Sequence, residues 1–294
     1  MAEVIPTAGE HQVSLVSLPS KVITLGWACL DQRFYVEEFP PSHSRTPVRA
    51  FREAIGGPAA VAAQAIARLG GKVVLLSRRG LDSTGEYLER LLLAEGIETH
   101  FTLGQSTPVS GVLVTPEGER YIFPYRGTLP TLPDWTPEER LKDARAVLLD
   151  HRWPEAAQAL AKAAREEGIP VILDLDHDRP EAWKLARVVS HVVASEELAR
   201  QVGGVEALLE RIPGWAAVTL GAKGVRHREG EIPAFKVEAK DSTGAGDVYH
   251  GAFALALAEG QGELEALRFA AAVSALHVQN GEPPRRPEVE ALLS

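Results

Sequence analysis

From residue 145 onward, short apolar runs alternate with amphipathic stretches, and this rhythm constrains the fold more than any other feature of the chain. The runs near 145–150, 170–175, 190–194 and 215–220 are strand-length segments. Continuous apolar runs suit strands covered on both faces. Helical patterning falls between and after them, near 154–167, 181–187, 195–202 and 204–211. Strands alternating with helices require an α/β fold: a mainly parallel sheet with helices on both faces. Short strands near 224–228 and 233–238 follow. Two long helices, 244–259 and 263–278, precede a terminal helix near 287–293.

The N-terminal half adds a first strand, Val22–Leu30, an apolar run broken by Gly26. Gly56-Gly57-Pro58 opens an alanine-rich helix to about Leu69. Proline suits that first turn because its missing N–H costs nothing there. Lys72–Ser77 reads as a strand and Thr84–Glu95 as a helix stopped by Gly96. Two pieces break the parallel rhythm. Residues 32–54 contain Pro40, Pro41 and Pro47 and read as an irregular excursion with strand pieces. Val109–Thr115 and Arg120–Tyr125 flank Pro-Glu-Gly-Glu as a hairpin. Together these segments, 32–54 and 109–125, are expected to form a small β lid.

Forty acidic residues against 31 basic leave a net charge of −9. That balance excludes a general nucleic-acid binder, which would show a basic face. A single cysteine, Cys29, rules out an internal disulfide and any Cys-rich metal centre. Its place on an apolar strand reads as core. No run approaches 18 apolar residues, so no membrane span is expected. Residues 1–20 carry Glu3 and Glu10 and no basic start. They read as a tail rather than a secretory leader, and the protein as cytoplasmic.

The stretch that carries chemistry is Asp241-Ser-Thr-Gly-Ala-Gly-Asp247, followed by the apolar helix Val248–Ala258. Small residues where a loop becomes a helix let a ligand approach the backbone. The exposed N–H groups of the first turn and the helix dipole both favour an anion there. A carboxylate in the same turn, Asp247, can take a proton from a hydroxyl while the amides hold a transferring phosphoryl group.

This string resembles the DTxGAGD signature of the ribokinase-like (PfkB) carbohydrate kinases, with Ser242 in a variable slot. The resemblance runs from about residue 21. Gly56-Gly57 with Arg68-Leu69-Gly70, Gly80-Leu-Asp82-Ser-Thr-Gly85, Leu93-Ala-Glu-Gly96 and Thr219-Leu-Gly221-Ala-Lys-Gly224 continue it in order. It implies one kinase domain over 21–294 that uses ATP and Mg²⁺ to phosphorylate a sugar hydroxyl. On that resemblance Asp247 is the catalytic base, and the amides of Gly244, Ala245 and Gly246 form an anion hole. Thr219, Gly221 and Gly224 lie along the ATP phosphates, and Asp31, Gly56 and Gly57 meet the sugar. Asp241 and Thr243 match residues that help hold a monovalent cation, K⁺, in some members. Pairing of lids would give a homodimer. No GxxxxGK[ST] string is present, so Mg²⁺ would be held mainly by phosphates and water.

Two departures narrow the substrate. Val61 stands where ribokinase carries a sugar-binding Asn, so ribose is disfavoured. The NxxE motif is replaced by Ser195-Glu196-Glu197-Leu198, leaving Glu196 or Glu197 to substitute. Gly56-Gly-Pro-Ala-Ala, Asp150-His-Arg152-Trp153 and Pro233-Ala-Phe-Lys-Val-Glu238 resemble the bacterial sulfofructose kinases. That likeness implies that Arg45 and Arg152 face a sulfonate, with Pro124 replacing a contacting Asn. Two substrates are expected on this basis, a neutral fructose-like ketose or an anionic ketose such as sulfofructose.

The alternatives are a nucleoside or vitamin kinase of the same fold, and a non-catalytic sugar or nucleotide sensor. A sensor has no need of the base. The acidic run Asp174-Leu-Asp176-His177-Asp178 reads as a polar loop mouth lining the cleft, not as a metal site. His250 reads as a supporting histidine, and Arg285-Arg286 as a solvated face.

Overall fold

The computed structural model describes residues 20–41, 43–116 and 118–294. Except for Ser20, the expected tail of residues 1–20 lies outside them.

In chain order the elements begin with β1 (Lys21–Leu25), β2 (Cys29–Tyr35), β3 (Ala50–Gly56), α1 (Pro58–Arg68), β4 (Lys72–Gly80), α2 (Ser83–Ala94), β5 (Glu98–Gly104), β6 (Val109–Val114) and β7 (Arg120–Tyr125). There follow α3 (Pro137–Leu141), β8 (Ala144–Leu149), α4 (Pro154–Glu166), β9 (Val171–Leu175), α5 (Pro180–Ala186), β10 (His191–Ser195), α6 (Glu196–Gln201), α7 (Val205–Arg211) and β11 (Trp215–Thr219). The chain closes with β12 (Val225–His227), β13 (Gly230–Ile232), α8 (Ala245–Ala258), α9 (Glu263–Asn280) and α10 (Arg286–Leu293).

Among the described residues, nine strands form one sheet in the order β13-β12-β11-β10-β9-β8-β1-β4-β5. Seven of these, β11 through β5, run parallel, and only the β12–β13 edge is antiparallel. Successive residues of each central strand enter opposite layers. Val22 of β1 packs with α1, α8 and α9, while Ile23 packs with α4 and α5. In β8, Ala146 and Leu148 join the first layer and Val147 and Leu149 the second. Burial on both faces is why these strands read as continuous apolar runs.

The remaining strands form a separate sheet, β3-β2-β6-β7. This small sheet is the lid over the cleft. Its strands face the cleft on one side and solvent on the other, so Phe51, Phe123 and Tyr125 are about half exposed.

Several sequence expectations need correction. The Val22–Leu30 run is two strands in two sheets, not one. At Gly26 the chain turns out of the large sheet: φ there is 153°, and the next amide, Trp27 N, donates to Asp150 Oδ2 at 2.7 Å. Asp31 therefore lies within a lid strand rather than after the first core strand. The 32–54 stretch is more regular than expected, because β2 and β3 pair over seven registered residues. An edge strand, β5, and a short helix, α3, went unread, β5 because its polar sequence ETHFTLG masks it. The strand expected at 233–238 forms earlier, at 230–232, and Pro233 lacks the N–H to extend the ladder. Arg286 is not a solvated charge: its guanidinium donates to Leu69 O, pairs with Glu259 and covers the Phe269 ring.

Candidate active site

A cleft of about 730 Å³ lies between the carboxyl ends of the large sheet's strands and the lid. Ligands in open parallel sheets bind at this edge, where strand ends and helix starts converge. The cleft brings Asp31, Gly56, Gly57, Arg152, Thr243, Gly244 and Asp247 together, from segments up to about two hundred residues apart in sequence.

Its floor is the start of α8. Gly244 caps the helix at φ 72°, ψ 8°, a left-handed conformation that glycine adopts without strain. A Cβ there would also stand 3.1 Å from Val61 Cγ1. The amide of Ala245 is already committed, donating to Ser242 O at 3.2 Å. Ala245 thus drops out of the expected anion hole. Among the described residues, the amides of Gly244, Gly246 and Asp247 have no acceptor and are the ones left for an anion.

Asp247 keeps partial access to the cleft. Burial of its carboxyl by surrounding protein, reinforced by the nearby carboxylate of Asp174, pushes its pKa well above the usual range. Asp174, at the end of β9, is itself buried and pushed up to about 6 by desolvation, against the pull of His250. His250 Nε2 lies 3.6 Å from Asp174 Oδ1 and donates to Val193 O at 3.1 Å. A carboxylate with a raised pKa is a better proton acceptor near neutral pH than an ordinary one.

Above the floor, Asp31 projects from β2. Gly56 leaves room for it, since a Cβ on Gly56 would meet Asp31 Oδ1 at 2.1 Å. Arg33 Nη2 stands 3.5 Å from Asp31 Oδ2, and Cys29 Sγ donates to Oδ1 at 3.5 Å. Burial pushes the Cys29 thiol up to about 12, so it stays protonated and apolar, as a core cysteine should.

The wall is cationic and aromatic. Arg152 follows β8; its backbone N–H donates to Asp150 Oδ1 at 2.7 Å and its Nη2 to Asp176 Oδ2 at 2.6 Å. Desolvation opposes its charge, yet Asp150, Asp176 and Asp174 outweigh that and hold its pKa above the ordinary arginine value. Its Nη1 is buried without a partner among the described residues. Arg126 lies over the Trp27 ring at 5.8 Å, and Arg120 Nη2 donates to Ser242 Oγ at 3.1 Å. Arg33, Arg120, Arg126 and Trp27 all line the cleft. Lone polar residues on lid strands carry no signal in one sequence, so no motif marks Arg33 or Arg120 as cleft residues.

Other expected site residues lie elsewhere. Arg45 is exposed on the β2–β3 connection and does not line the cleft. The register explains this: Cys29 pairs with Gly56 at the cleft end, so the connection after Tyr35–Ala50 emerges at the far end. Thr219, Gly221 and Gly224 sit at the carboxyl end of β11, beyond the cleft's lining. Thr219 Oγ1 donates to Ala194 O at 3.3 Å. Leu198 is fully buried, and Glu196 and Glu197 are engaged by Lys223 and Arg200, so neither glutamate is free to replace the missing motif.

At Asp241 and Thr243, the residues expected to hold a monovalent cation, two oxygens already carry hydrogen bonds. Asp241 Oδ1 is bonded by Thr243's own amide, at 2.8 Å, and by its hydroxyl. Thr243 O accepts from His277 Nε2 at 2.5 Å, which places an N–H donor on the carbonyl a cation would need. No residue pattern pointed to His277 beforehand; it sits on α9 and reaches the loop only through the packing of α8 on α9.

A profile of the pfkB family carbohydrate kinases matches residues 19–285. The ribokinase of Bacillus subtilis is 30% identical over 93% of this chain and 99% of its own length. An ATP-dependent ribose-1-phosphate kinase of Halopiger xanaduensis is 30% identical over 87% of this chain and 91% of its own. The structure of Arabidopsis thaliana ribokinase complexed with ribose and ATP superposes with a TM-score of 0.81, at 26% identity, covering 94% of this chain and 99% of that one. With its mostly parallel sheet, its lid and a glycine-rich helix start carrying an aspartate, this chain belongs to the pfkB family of carbohydrate kinases and is an ATP-dependent phosphotransferase.

Proposed function

We propose that this kinase transfers the γ-phosphoryl group of ATP to a hydroxyl of a ketose that carries an anionic group, with Asp247 as general base. The observation that carries the reading is the pairing of one carboxylate with free helix-start amides on the cleft floor, beneath a wall of arginines. The substrate hydroxyl would lose its proton to Asp247. The amides of Gly244, Gly246 and Asp247 would hold the transferring oxygens. Phosphoryl transfer needs this positioning and charge stabilisation more than covalent help from the protein.

Asp31 is the acceptor for sugar hydroxyls. Arg152, with one unpartnered guanidinium nitrogen, and Arg126 would face the anionic group. Guanidinium forks suit sulfonate, phosphate and carboxylate oxygens alike. The relative acting on ribose 1-phosphate supports an anionic sugar in this fold. Val61, apolar beside Gly244, supports a substrate other than free ribose. Thr219, Gly221 and Gly224 would follow the ATP phosphates at the neighbouring strand end.

When bound, Mg²⁺ neutralises charge on the phosphates; with Glu196 and Glu197 ion-paired, its ligands would be phosphate oxygens and water. Residues 21–294 would act as one kinase unit, in the cytoplasm. Phe34 and Phe51 stack 5.1 Å apart on the face of the lid away from Asp31, which suits pairing of two lids in a homodimer.

The test is a panel of free sugars, sulfosugars, sugar phosphates and nucleosides with ATP, read as ADP release. Preference for sulfofructose or another anionic ketose is expected. Preference for fructose or ribose would overturn the anionic reading, and preference for a nucleoside would overturn the sugar reading.

A further inference from the structure

Beside Arg152, three side chains turn toward one point that the phosphoryl-transfer reading does not use. His151 follows the end of β8, and Asp176 and His177 follow the end of β9. These strands are parallel neighbours, with Leu149 opposite Leu173, so their ends deliver all three residues to one spot at the cleft edge. His151 Nδ1 lies 3.4 Å from Asp176 Oδ1, and His177 Nδ1 lies 2.9 Å from the same oxygen. One potential ligand atom from each of the three residues lies within 4.8 Å of the other two. His151 Nδ1 is buried without a hydrogen-bond partner among the described residues, and the Asp176 oxygen it faces is ion-paired with His177. Buried polar atoms are costly when unsatisfied and point to a missing partner.

We propose that His151, Asp176 and His177 hold one divalent transition-metal ion of the zinc class in the wall of the cleft. Ligands about 2.0–2.1 Å from zinc at tetrahedral angles stand roughly 3.3 Å apart. The His151–Asp176 separation already matches that spacing. Relative to Asp176, His177 would swing outward by about a few tenths of an ångström, a movement its half-exposed side chain allows. Asp176 has its other oxygen, Oδ2, held by Arg152 Nη2 at 2.6 Å, an outer-shell bond that fixes the carboxylate's direction. Arg152 is the nearest opposing charge, and Asp150 and Asp174 flank it. Their carboxylates offset both the guanidinium and the ion.

Two imidazoles in the donor set select against Mg²⁺, which prefers all-oxygen octahedra, and for zinc-like ions. The site is therefore distinct from the metal that accompanies ATP. Three protein ligands leave a fourth position open, as in zinc sites that accept a ligand. His177 and Arg152 both line the cleft, so that position faces its interior. It would take an oxygen donor, either water or a hydroxyl or acidic oxygen of a molecule in the cleft. Nothing in this inference depends on which sugar the kinase uses.

The experiment titrates Co²⁺, a coloured stand-in for zinc, into the full-length protein stripped with chelator, in excess Mg²⁺. One equivalent should bind, with the strong visible absorption of a four- or five-coordinate nitrogen–oxygen site. His177→Ala should weaken binding at least about tenfold; its half-exposed position means folding survives, which a thermal melt verifies. His151→Ala and Asp176→Asn should do the same, while His100→Ala, remote from the cleft, should not. Absence of stoichiometric Co²⁺ binding would overturn the proposal. So would displacement of Co²⁺ by equimolar Mg²⁺, or unchanged absorption in the His151→Ala/His177→Ala double variant.

Discussion

The floor and the wall of the cleft solve different problems with different materials. The floor is backbone: free amides at a helix start, held by a left-handed Gly244 and backed by α9 through His277 and Ser274. The wall is side chain: Arg152, Arg126, Trp27 and His177, drawn from strand ends and the lid. Amides recognise any phosphoryl oxygen, because every residue offers one. Side chains discriminate, because a guanidinium binds an anion more strongly than a neutral hydroxyl. The proposed function therefore assigns chemistry to the floor and substrate choice to the wall, and that division can be tested from either side.

The largest effect is expected on the floor. Asp247→Asn should lower kcat by about 10²–10⁴, the usual yield of a general base, with the KM for ATP nearly unchanged. Wild-type turnover in that variant would remove the base from the mechanism. Next comes the wall. Arg152→Ala should lower kcat/KM for an anionic ketose by roughly ten- to a hundredfold, since a charged hydrogen bond contributes about 1.5–3 kcal/mol. A neutral ketose should be nearly unaffected. Equal losses on both substrates would make Arg152 a structural residue and collapse the distinction between floor and wall.

A smaller effect reads the electrostatics that join the two. Asp247 must be ionised to act, and burial together with Asp174 raises its pKa. The acid limb of kcat/KM should therefore lie above the ordinary carboxylate range. Removing the like charge with Asp174→Asn should move that limb to lower pH. An unmoved limb would show that burial alone sets it.

The same shift has a consequence for stability. A carboxyl whose folded pKa is raised binds protons more tightly in the native state, so stability falls as pH rises through the window between its unfolded and folded values. Asp247→Asn removes that cost. Its Tm should exceed wild type at pH 8, and the two should converge as pH drops toward 4. The smallest effect concerns the lid. Amide exchange in β2, β3, β6 and β7 should slow when the phosphorylated sugar's precursor saturates the cleft, because closure excludes water. Unchanged exchange would leave the lid fixed and the wall preformed.

The two sheets were not equally legible in the residues. Central strands such as β8 and β9 are buried on both faces, so each announces itself as an apolar run. Lid strands are buried on neither face fully. Cys29 and Leu30 read as the end of β1, because they are as apolar as Val22 and Ile23. Nothing local marks the sheet to which a strand belongs. The turn at Gly26 depends on the carboxylate of Asp150, more than a hundred residues away.

What the sequence determined by itself follows from local chemistry. Continuous apolar runs alternating with helices require a two-faced parallel sheet. A glycine-rich loop before an apolar helix leaves helix-start amides able to meet an anion, with Asp247 in the same first turn. These features span a few residues each, so adjacent positions suffice to state them. What only the tertiary structure decided depends on distance through space. Strand register carried Arg45 away from the cleft and brought Asp31 into it. Packing of α8 on α9 set His277 against the carbonyl of Thr243, and a turn bond to Ser242 O committed the amide of Ala245. The adjacent ends of β8 and β9 placed His151 beside Asp176 and His177, with one ligand atom from each within 4.8 Å of the others. Such contacts join residues far apart along the chain, and hydrogen-bond geometry over a few ångströms decides their chemistry, which no pattern in a single sequence encodes.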